Sequence, residues 1–190
     1  MNKMDNDRSK RVCLVERAGG LDNRIRRFLQ NPQKILKPYI RSGMTVLDLG
    51  CGPGFFSAAM ARMLGDSGKV IAADLQPGML EKVRQKIKGT ILEQRIRLHQ
   101  CRQDSIDLDE KVDFVLAFYM VHEVPDHDKL FHELKTILKA GGFLFIIEPK
   151  FHVSKASFDS MVDRIQTMGF EIIDKPKVFL SRTVVVRNKA

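Results

Sequence analysis

The sequence lacks the cysteine pattern of a disulfide-rich or zinc-binding protein. Its three cysteines, Cys13, Cys51 and Cys101, are scattered along 190 residues and form no Cys-x-x-Cys pair. An odd and unpaired set of thiols argues against a disulfide framework. The five histidines also show no spacing that would place two of them on one face of a helix as metal ligands. We therefore expect no metal site and a reducing, cytoplasmic location.

Long hydrophobic runs are also missing. The longest, Phe114–Met120 and Gly142–Ile147, are strand-sized, whereas a membrane-spanning helix needs about 18 apolar residues. The first ten residues, MNKMDNDRSK, are polar, so we expect no secretory signal. With 44% hydrophobic and 29% charged residues, the chain has the composition of a folded globular protein. We expect one domain with a small appendage and no membrane partner.

Positive charge is concentrated near the N-terminus. The net charge is +9, and residues 1–45 hold eleven Lys/Arg against four Asp/Glu. Basic N-terminal arms bind nucleic acids and other polyanions, although such charges also simply solvate a surface. No aromatic side chain is interleaved with these charges before Phe28. RNA is therefore a partner to consider rather than the favoured one.

The first 43 residues read as a helical arm. A helix from about Asn23 to Gln30 would place Ile25, Phe28 and Leu29 on one face. The Pro at position 32 suits the first turn of a second helix, which Ser42-Gly43 would end. We divide the chain into an N-terminal helical arm, residues 1–43, and a main domain, residues 44–190.

Strand-like and helix-like segments alternate after Met44. The apolar runs are nearly continuous, which is typical of strands buried on both faces of a parallel sheet. Alternation with helices predicts right-handed βαβ units and an α/β, doubly wound, mostly parallel seven-stranded sheet. No long helix separates the last two strands, so they should form a hairpin and add an antiparallel C-terminal strand. The predicted strands are Thr45–Leu49, Lys69–Ala73, Arg95–His99, Val112–Phe118, Gly142–Ile147, Phe170–Asp174 and Thr183–Arg187.

A glycine-rich loop, VLDLGCGPGFF from position 46, leaves the first strand and enters a helix. Dinucleotide loops require Gly-x-Gly-x-x-Gly, but Phe55 occupies the third glycine position. No Gly-Lys-Ser/Thr is present to make a phosphate-binding P-loop. The acid Asp48 before the loop would repel a pyrophosphate and suit a ligand with an ammonium group. S-adenosylmethionine combines an ammonium group with a nucleoside that carries no phosphate.

At this point the chain resembles the class I S-adenosylmethionine-dependent methyltransferases, with a Rossmann-like fold. It is most similar to the small-molecule branch that includes the ubiquinone/menaquinone-biosynthesis and arsenite-type enzymes. The resemblance runs from about Met44 to the C-terminus. It implies the cofactor S-adenosyl-L-methionine, with S-adenosyl-L-homocysteine as product. The methionine portion would be held by Asp48 and the glycine loop, that is by Gly50, Cys51, Gly52 and Gly54.

The next two strand ends supply the expected nucleoside contacts. Asp74 ends the second strand, where its carboxylate can accept hydrogen bonds from both ribose hydroxyls. Leu75 and Met79 follow as an apolar wall for the adenine. After the third strand, Arg102 stands where the family usually has an acid, and Gln103 and Asp104 are the expected adenine contacts.

The fourth strand ends at the region that faces the acceptor. By resemblance, Ala117, Phe118 and Tyr119 line the methionine end of the cofactor. Tyr119 and His122 are the candidate catalytic residues, because a neutral histidine can accept a proton from a hydroxyl, thiol or amine. A histidine that only packs and hydrogen-bonds at the strand end is the alternative.

We therefore predict an S-adenosylmethionine-dependent methyltransferase that acts on a small-molecule acceptor by in-line transfer. Two alternatives remain: an RNA methyltransferase that uses the basic arm, and a cofactor-binding module without turnover. Few residues follow the fifth strand before the next helix. We therefore also predict that residues from about Val12 to Leu29 cover the cleft as a lid, rather than only packing on the sheet edge.

Overall fold

A computed structural model describes residues 30–189 of the chain. Within these residues, seven strands alternate with six α-helices, and one short 3₁₀ turn follows the fourth strand. The strands are β1 Thr45–Leu49, β2 Lys69–Asp74, β3 Ile96–Gln100, β4 Val112–Phe118, β5 Leu138–Pro149, β6 Phe170–Asp174 and β7 Ser181–Asn188. The helices are α1 Pro32–Leu36, α2 Phe55–Leu64, α3 Pro77–Ile87, α4 Leu92–Arg95, α5 His127–Ile137 and α6 Lys155–Thr167, and the 3₁₀ turn is Val121–Glu123.

The strands form one sheet in the order β3-β2-β1-β4-β5-β7-β6. Strands β1 to β5 are mutually parallel, and β7 inserts antiparallel between β5 and β6. This confirms the predicted doubly wound, mostly parallel seven-stranded sheet with an antiparallel C-terminal strand. The chain order reverses between β1 and β4, and ligands bind at such switch points outside the carboxyl ends of the strands.

Both faces of the sheet are covered, which explains the continuous apolar runs. On one face Val46, Val70 and Phe114 pack with the apolar side chains of α1 to α4. On the other face Leu47 and Val115, one residue along each strand, pack with α5 and α6. Because successive side chains of a strand point to opposite faces, a sheet covered on both sides needs apolar residues at nearly every position.

The prediction was wrong in three places. Strand β5 begins at Leu138, four residues before the predicted start at Gly142, because Leu138 already pairs with Val112 ahead of a register shift. Helix α4 was missed; its four residues follow a turn in which the Glu93 carboxylate accepts the Gly89 N–H. Helix α1 ends at Leu36, short of the predicted end near position 42.

The predicted helix over residues 23–30 and the predicted lid lie outside the described residues. The residues that follow are packed onto the sheet: Leu36 and Ile40 are buried with β1, and the Gly43 N–H donates to the carbonyl of Leu64. Within residues 30–189, no helix has the length and apolar character needed to cross a lipid bilayer.

Candidate functional site

The carboxyl ends of β1, β2 and β4 meet at one edge of the sheet. Leu49 is in register with Ala73 on one side and with Ala117 on the other. The glycine loop, Asp74 and Tyr119 therefore lie next to one another. They border a cavity of about 460 Å³ that is also lined by residues after β3 and by one side of α5. Small-molecule sites typically span ~300–1,000 Å³.

All three glycines of the loop adopt positive φ, but for different reasons. A Cβ on Gly50 would lie 2.8 Å from Cβ of Met120, and one on Gly54 would lie 3.0 Å from Cγ2 of Val83. Those two glycines allow close packing of neighbouring segments. A Cβ on Gly52, by contrast, would meet no protein atom within 4 Å. The Gly52 backbone faces open space beside the cavity, which is what close approach of a ligand to the main chain requires.

Asp74 is a buried carboxylate, 7% exposed, at the end of β2. One oxygen, Oδ2, accepts the N–H of Gly52 at 2.9 Å, and the other, Oδ1, accepts the N–H of Gln76 at 2.9 Å. Burial raises the pKa of Asp74 above its ordinary value, although the N–H groups of Gln76 and Gly52 oppose this shift. Asp74 thus fixes the glycine loop and still lines the cavity, where each oxygen can accept further hydrogen bonds.

Asp48 lies deeper beneath the loop and is 2% exposed. Its Oδ2 accepts the hydroxyl of Ser57 on α2 at 2.5 Å. Asp48 lines the cavity together with Asp74, so two carboxylates face the glycine turn. This arrangement favours a ligand with a cationic group and hydroxyls over one with phosphates, because like charges in a poorly solvated site repel.

The two cysteines of the site are poor nucleophiles. Burial raises the pKa of Cys51, helped by the charges of Asp48 and Asp74, and burial together with the charge of Asp74 raises the pKa of Cys101 to about 12. Both thiols are therefore protonated at neutral pH, and a thiolate is needed to bind soft metals or to attack a substrate. No group of three or more potential ligands within residues 30–189 is placed to hold a metal ion.

The loop after β3 closes the far end of the cavity. Gln103 and Asp104 line it, and the Asp104 carboxylate pairs with Lys129 of α5 at 3.0 Å. That ion pair lowers the pKa of Asp104 below its ordinary value. Arg102, which stands where an acid was expected, also lines the cavity, but its side chain is largely exposed and pairs with Asp107 at 2.9 Å.

Aromatic rings form the wall at the other end. The rings of Phe56 and Phe118 lie 4.4 Å apart, and those of Phe118 and Tyr119 lie 4.3 Å apart. Tyr119 has a φ of +58°, which is rare for a bulky residue. Its hydroxyl lies 2.7 Å from Oγ of Ser181 and accepts a hydrogen bond from Nε2 of Gln30 at 2.9 Å. Strained backbone of this kind is concentrated at functional sites.

His122 is held by a buried carboxylate beside the cavity. Its Nδ1 lies 2.5 Å from Oε2 of Glu148, which is 1% exposed, and Oε1 of Glu148 accepts the N–H of Val121 at 3.0 Å. The His122 ring stacks on His152 at 5.6 Å. Burial lowers the pKa of His122, but the hydrogen bond and charge of Glu148 outweigh burial and raise it above its ordinary value of 6.5.

Most of the sequence-predicted residues meet at this cavity. Its lining includes Asp48, Gly50, Cys51, Gly52, Asp74, Leu75, Met79, Gln103, Asp104, Phe118 and Tyr119. Three predicted residues are not among the lining residues. Gly54 is the N-cap of α2, Ala117 is fully buried in β4, and His122 lies to one side.

Several lining residues were not identified from the sequence. Phe55 and Phe56 directly follow the glycine loop, and Met120 and Glu123 follow Tyr119; proximity to the motif was the available signal. No motif or spacing in the sequence pointed to Glu133. It reaches the cavity from α5, and its carboxylate accepts the N–H of Ile106 at 2.7 Å across 27 positions of sequence.

The cavity fits S-adenosylmethionine by the chemistry of its walls. The open space at Gly52 admits a ligand against the backbone, and the Asp74 carboxylate can accept ribose hydroxyls. Leu75 and Met79 offer an apolar wall to a flat base, and Asp48 offers a negative charge. Among these lining residues, Asp48 and Asp74 are the groups that would bind the polar parts of the ligand.

Comparisons with known proteins agree with this geometry. Residues 46–142 match the family described as "Methyltransferase domain". The chain is 32% identical over 137 residues to the ubiquinone/menaquinone biosynthesis C-methyltransferase UbiE of Haemophilus ducreyi, and 29% identical over 136 residues to that of Vibrio vulnificus. These matches cover 72% and 71% of this chain but 51% of each relative, so the chain spans about half the length of these relatives.

A solved structure is similar over nearly its whole length. The SAM-dependent methyltransferase from Aquifex aeolicus superposes with a TM-score of 0.82 at 26% identity, covering 93% of this chain and 99% of that one. The match to the domain family includes the glycine loop and Asp74, the same segments that build the cavity. The chain therefore belongs to the class I S-adenosylmethionine-dependent methyltransferases.

Proposed function

We propose that this protein transfers a methyl group from S-adenosylmethionine to a carbon or hydroxyl of a small, flat, aromatic acceptor. This proposal rests on the observation that a single cavity is bordered both by the groups that would hold the cofactor and by the aromatic rings that would face the acceptor. Two buried carboxylates and the open glycine turn lie between the loop after β3 at one end and the aromatic rings of Phe56, Phe118 and Tyr119 at the other.

At the cofactor end, the chain's own groups hold and orient the ligand. Asp74 accepts the ribose hydroxyls while its bond to Gly52 keeps the turn in shape. Asp48, positioned by Ser57, faces the cationic amino acid portion. When bound, S-adenosylmethionine supplies an electrophilic methyl group on its sulfonium. Transfer then depends on holding the acceptor atom in line with that methyl group and on excluding water.

At the acceptor end, aromatic side chains favour a flat, apolar partner. Outside the cavity, three more rings follow Tyr119 in the order Phe151, His152 and His122, with successive centroids 6.5, 4.9 and 5.6 Å apart. Aromatic pairs stack or pack edge to face, which orients a planar acceptor. The named activity of the similar relatives, C-methylation in ubiquinone/menaquinone biosynthesis, is consistent with an acceptor of this class.

We propose that Tyr119 orients the acceptor and that His122, which lies beside the cavity and is held by Glu148, accepts in its neutral form the proton that the acceptor loses. A histidine needs one ring nitrogen fixed by a partner to leave the other available for proton transfer. The RNA acceptor rests on the basic residues 1–45, and eight of those eleven Lys/Arg lie outside the described part of the chain. The non-catalytic module has no feature that favours it.

Two measurements test the proposal. Calorimetry of the full chain with S-adenosylmethionine and S-adenosylhomocysteine should give saturable binding, and absence of heat at millimolar cofactor would reject the cofactor site. Tritium-labelled methyl transfer should then be assayed with polar and apolar metabolite extracts and with total RNA. Label in an apolar small molecule is the expected result, whereas label only in RNA would overturn the acceptor class.

A further inference from the structure

Exposed apolar side chains cluster on two neighbouring loops at the β7 side of the sheet. Phe151 is 70% exposed on the loop after β5, and Phe179 and Leu180 are 49% and 53% exposed on the loop between β6 and β7. The backbone N–H of Lys150 donates to the carbonyl of Leu180 at 3.0 Å, which joins the two loops. Large apolar side chains grouped at the surface mark an interaction site more often than single ones do.

The backbone at the tip of the second loop is strained. Leu180 has a φ of +52°, a conformation that favours glycine or asparagine. The turn is closed by the N–H of Ser181, which donates to the carbonyl of Val178 at 3.1 Å. The fold therefore holds an apolar side chain outwards at an unfavourable backbone angle without burying it. Such an outlier points to a function for the exposed side chain.

Positive charges surround these side chains. A hollow of about 500 Å³ between the loops is lined by the cations Lys150, Lys155, Lys175, Lys177 and Arg182. Two acids lie nearby and both are engaged. Asp159 pairs with Lys155 at 2.5 Å, and Asp174 accepts the hydroxyl of Tyr39 at 2.6 Å. The hydrogen bond from Lys155, and the charges of Lys175 and Arg182, lower the pKa of Asp159.

We propose that Phe151, Phe179 and Leu180, together with the five surrounding cations, form a docking face for an anionic lipid surface. Apolar side chains that enter the interfacial region, ringed by cations that meet the headgroups, are the two signals that peripheral attachment requires. No membrane-spanning helix is needed. The docking face thus adds a lipid partner that the sequence-based expectation of no membrane partner left out.

Other occupants fit this face less well. A second copy of the chain would bring this positively charged face against an identical one, which opposes self-association. The N-terminal residues 1–29 carry eight Lys/Arg and four Asp/Glu, so their net charge also repels the face. Single-stranded RNA would suit the cations and the two phenylalanines, but it gives no role to the outward, strained Leu180. A lipid surface uses all of these features.

The docking face adjoins the acceptor end of the cavity. Oγ of Ser181, next to Leu180, lies 2.7 Å from the hydroxyl of Tyr119, and the Phe151 and Tyr119 rings are 6.5 Å apart. Docking would therefore present that end of the cavity to apolar molecules dissolved in the lipid. This consequence rests on the proposed function, whereas docking itself does not, so a binding assay without cofactor tests docking separately.

The experiment is co-sedimentation of the full chain with vesicles of phosphatidylglycerol and phosphatidylcholine in equal parts, against phosphatidylcholine alone. One variant carries Lys175→Gln and Lys177→Gln, and a second carries Phe179→Ser and Leu180→Asn. The control carries Lys88→Gln and Ile91→Ser; Ile91 is 56% exposed, and both residues lie next to β3 at the opposite edge of the sheet. Thermal unfolding of each variant verifies that it is folded.

We expect the wild-type chain and the control to bind the anionic vesicles and to lose this binding as the salt concentration is raised. Neither should bind vesicles of phosphatidylcholine alone. Each test variant should lose at least about tenfold in partitioning. The first loses two lysines, each of which attracts an anionic surface, and the second loses the two apolar side chains that enter the interfacial region. Folded variants that bind as the wild type does, or a wild type that does not bind, would overturn the proposal. The proposal would also be overturned if the test variants lost RNA binding or dimerisation while the wild-type chain bound no vesicles.

Discussion

At the scale of single residues, Asp74 combines two roles that substitution can separate. It accepts the N–H of Gly52 and lines the cavity. Asp74→Ala should weaken S-adenosylmethionine binding by about 1.5–3 kcal/mol, because a charged acceptor of hydroxyl hydrogen bonds is lost. Asp74→Asn, which keeps one carbonyl oxygen, should lose less. Calorimetry measures both, with the exposed Asp109→Asn as the matched control; equal affinity in all three variants would remove Asp74 from the cofactor site.

The glycine loop offers a second contrast between residues two positions apart. Gly50 and Gly52 both have positive φ, so an alanine costs backbone strain of about 1–3 kcal/mol at either position. At Gly50 the new methyl group would also meet Met120 at 2.8 Å, whereas at Gly52 it would enter open space.

We expect Gly50→Ala to lower the unfolding temperature more than Gly52→Ala does. Gly52→Ala should instead give a folded protein with reduced cofactor affinity, and Gly52→Val should abolish binding. Thermal unfolding and calorimetry on the same samples measure the two effects. If Gly52→Val folds and binds normally, the loop does not approach the ligand.

At the scale of elements, the 3₁₀ turn Val121–Glu123 is tied to the end of β5 by Glu148. The carboxylate accepts the N–H of Val121 and pairs with His122. Because the pKa of His122 is raised in the folded protein, folding favours the protonated imidazole. This contribution to stability is fully present below about pH 6.5, the unfolded pKa, and is lost as pH rises through the higher folded pKa.

Glu148→Gln should therefore reduce the free energy of unfolding more at pH 5.5 than at pH 8.5, values on either side of the roughly 6.5 of a free histidine. Urea titrations at both pH values measure the difference. His132→Gln, a change at a surface histidine of α5, is the control and should leave the pH dependence unchanged. If the loss of stability in Glu148→Gln is independent of pH, Glu148 does not raise the pKa of His122.

Elements that are determined by neighbouring residues in the sequence were predictable, whereas elements that depend on particular contacts in the folded chain were not. Strands β1, β4 and β6 have the predicted bounds, because their composition or flanking residues mark them clearly. The first turn of β5 and helix α4 were missed because pairing with Val112 and the contact of Glu93 with Gly89 decide them. The site divides in the same way. Its glycine loop is a contiguous motif, but the bonds Glu148–His122 and Glu133–Ile106 join positions 26 and 27 residues apart.

At the scale of the whole molecule, methyl transfer requires a cover that excludes water from the cavity. The described chain begins at Gln30, whose side chain donates to the hydroxyl of Tyr119. Gln30 is therefore held at the acceptor end of the cavity. Residues 12–29 contain the apolar positions Ile25, Phe28 and Leu29. Before these positions they contain Gly19-Gly20, which can act as a hinge. We propose that these residues close over the cleft and help to form the acceptor pocket.

Deleting residues 1–29 tests this proposal. A lid excludes water and positions the acceptor, so its loss should leave a folded domain that still binds S-adenosylmethionine weakly but transfers methyl groups about a hundredfold more slowly. Phe28→Ser with Leu29→Ser in the full chain should reproduce part of the loss, and Arg8→Gln with Lys10→Gln, far from the hinge, is the control. A truncated protein with full activity would exclude the lid. One that unfolds would assign these residues to packing on the sheet edge, where they would stabilise the domain without taking part in transfer.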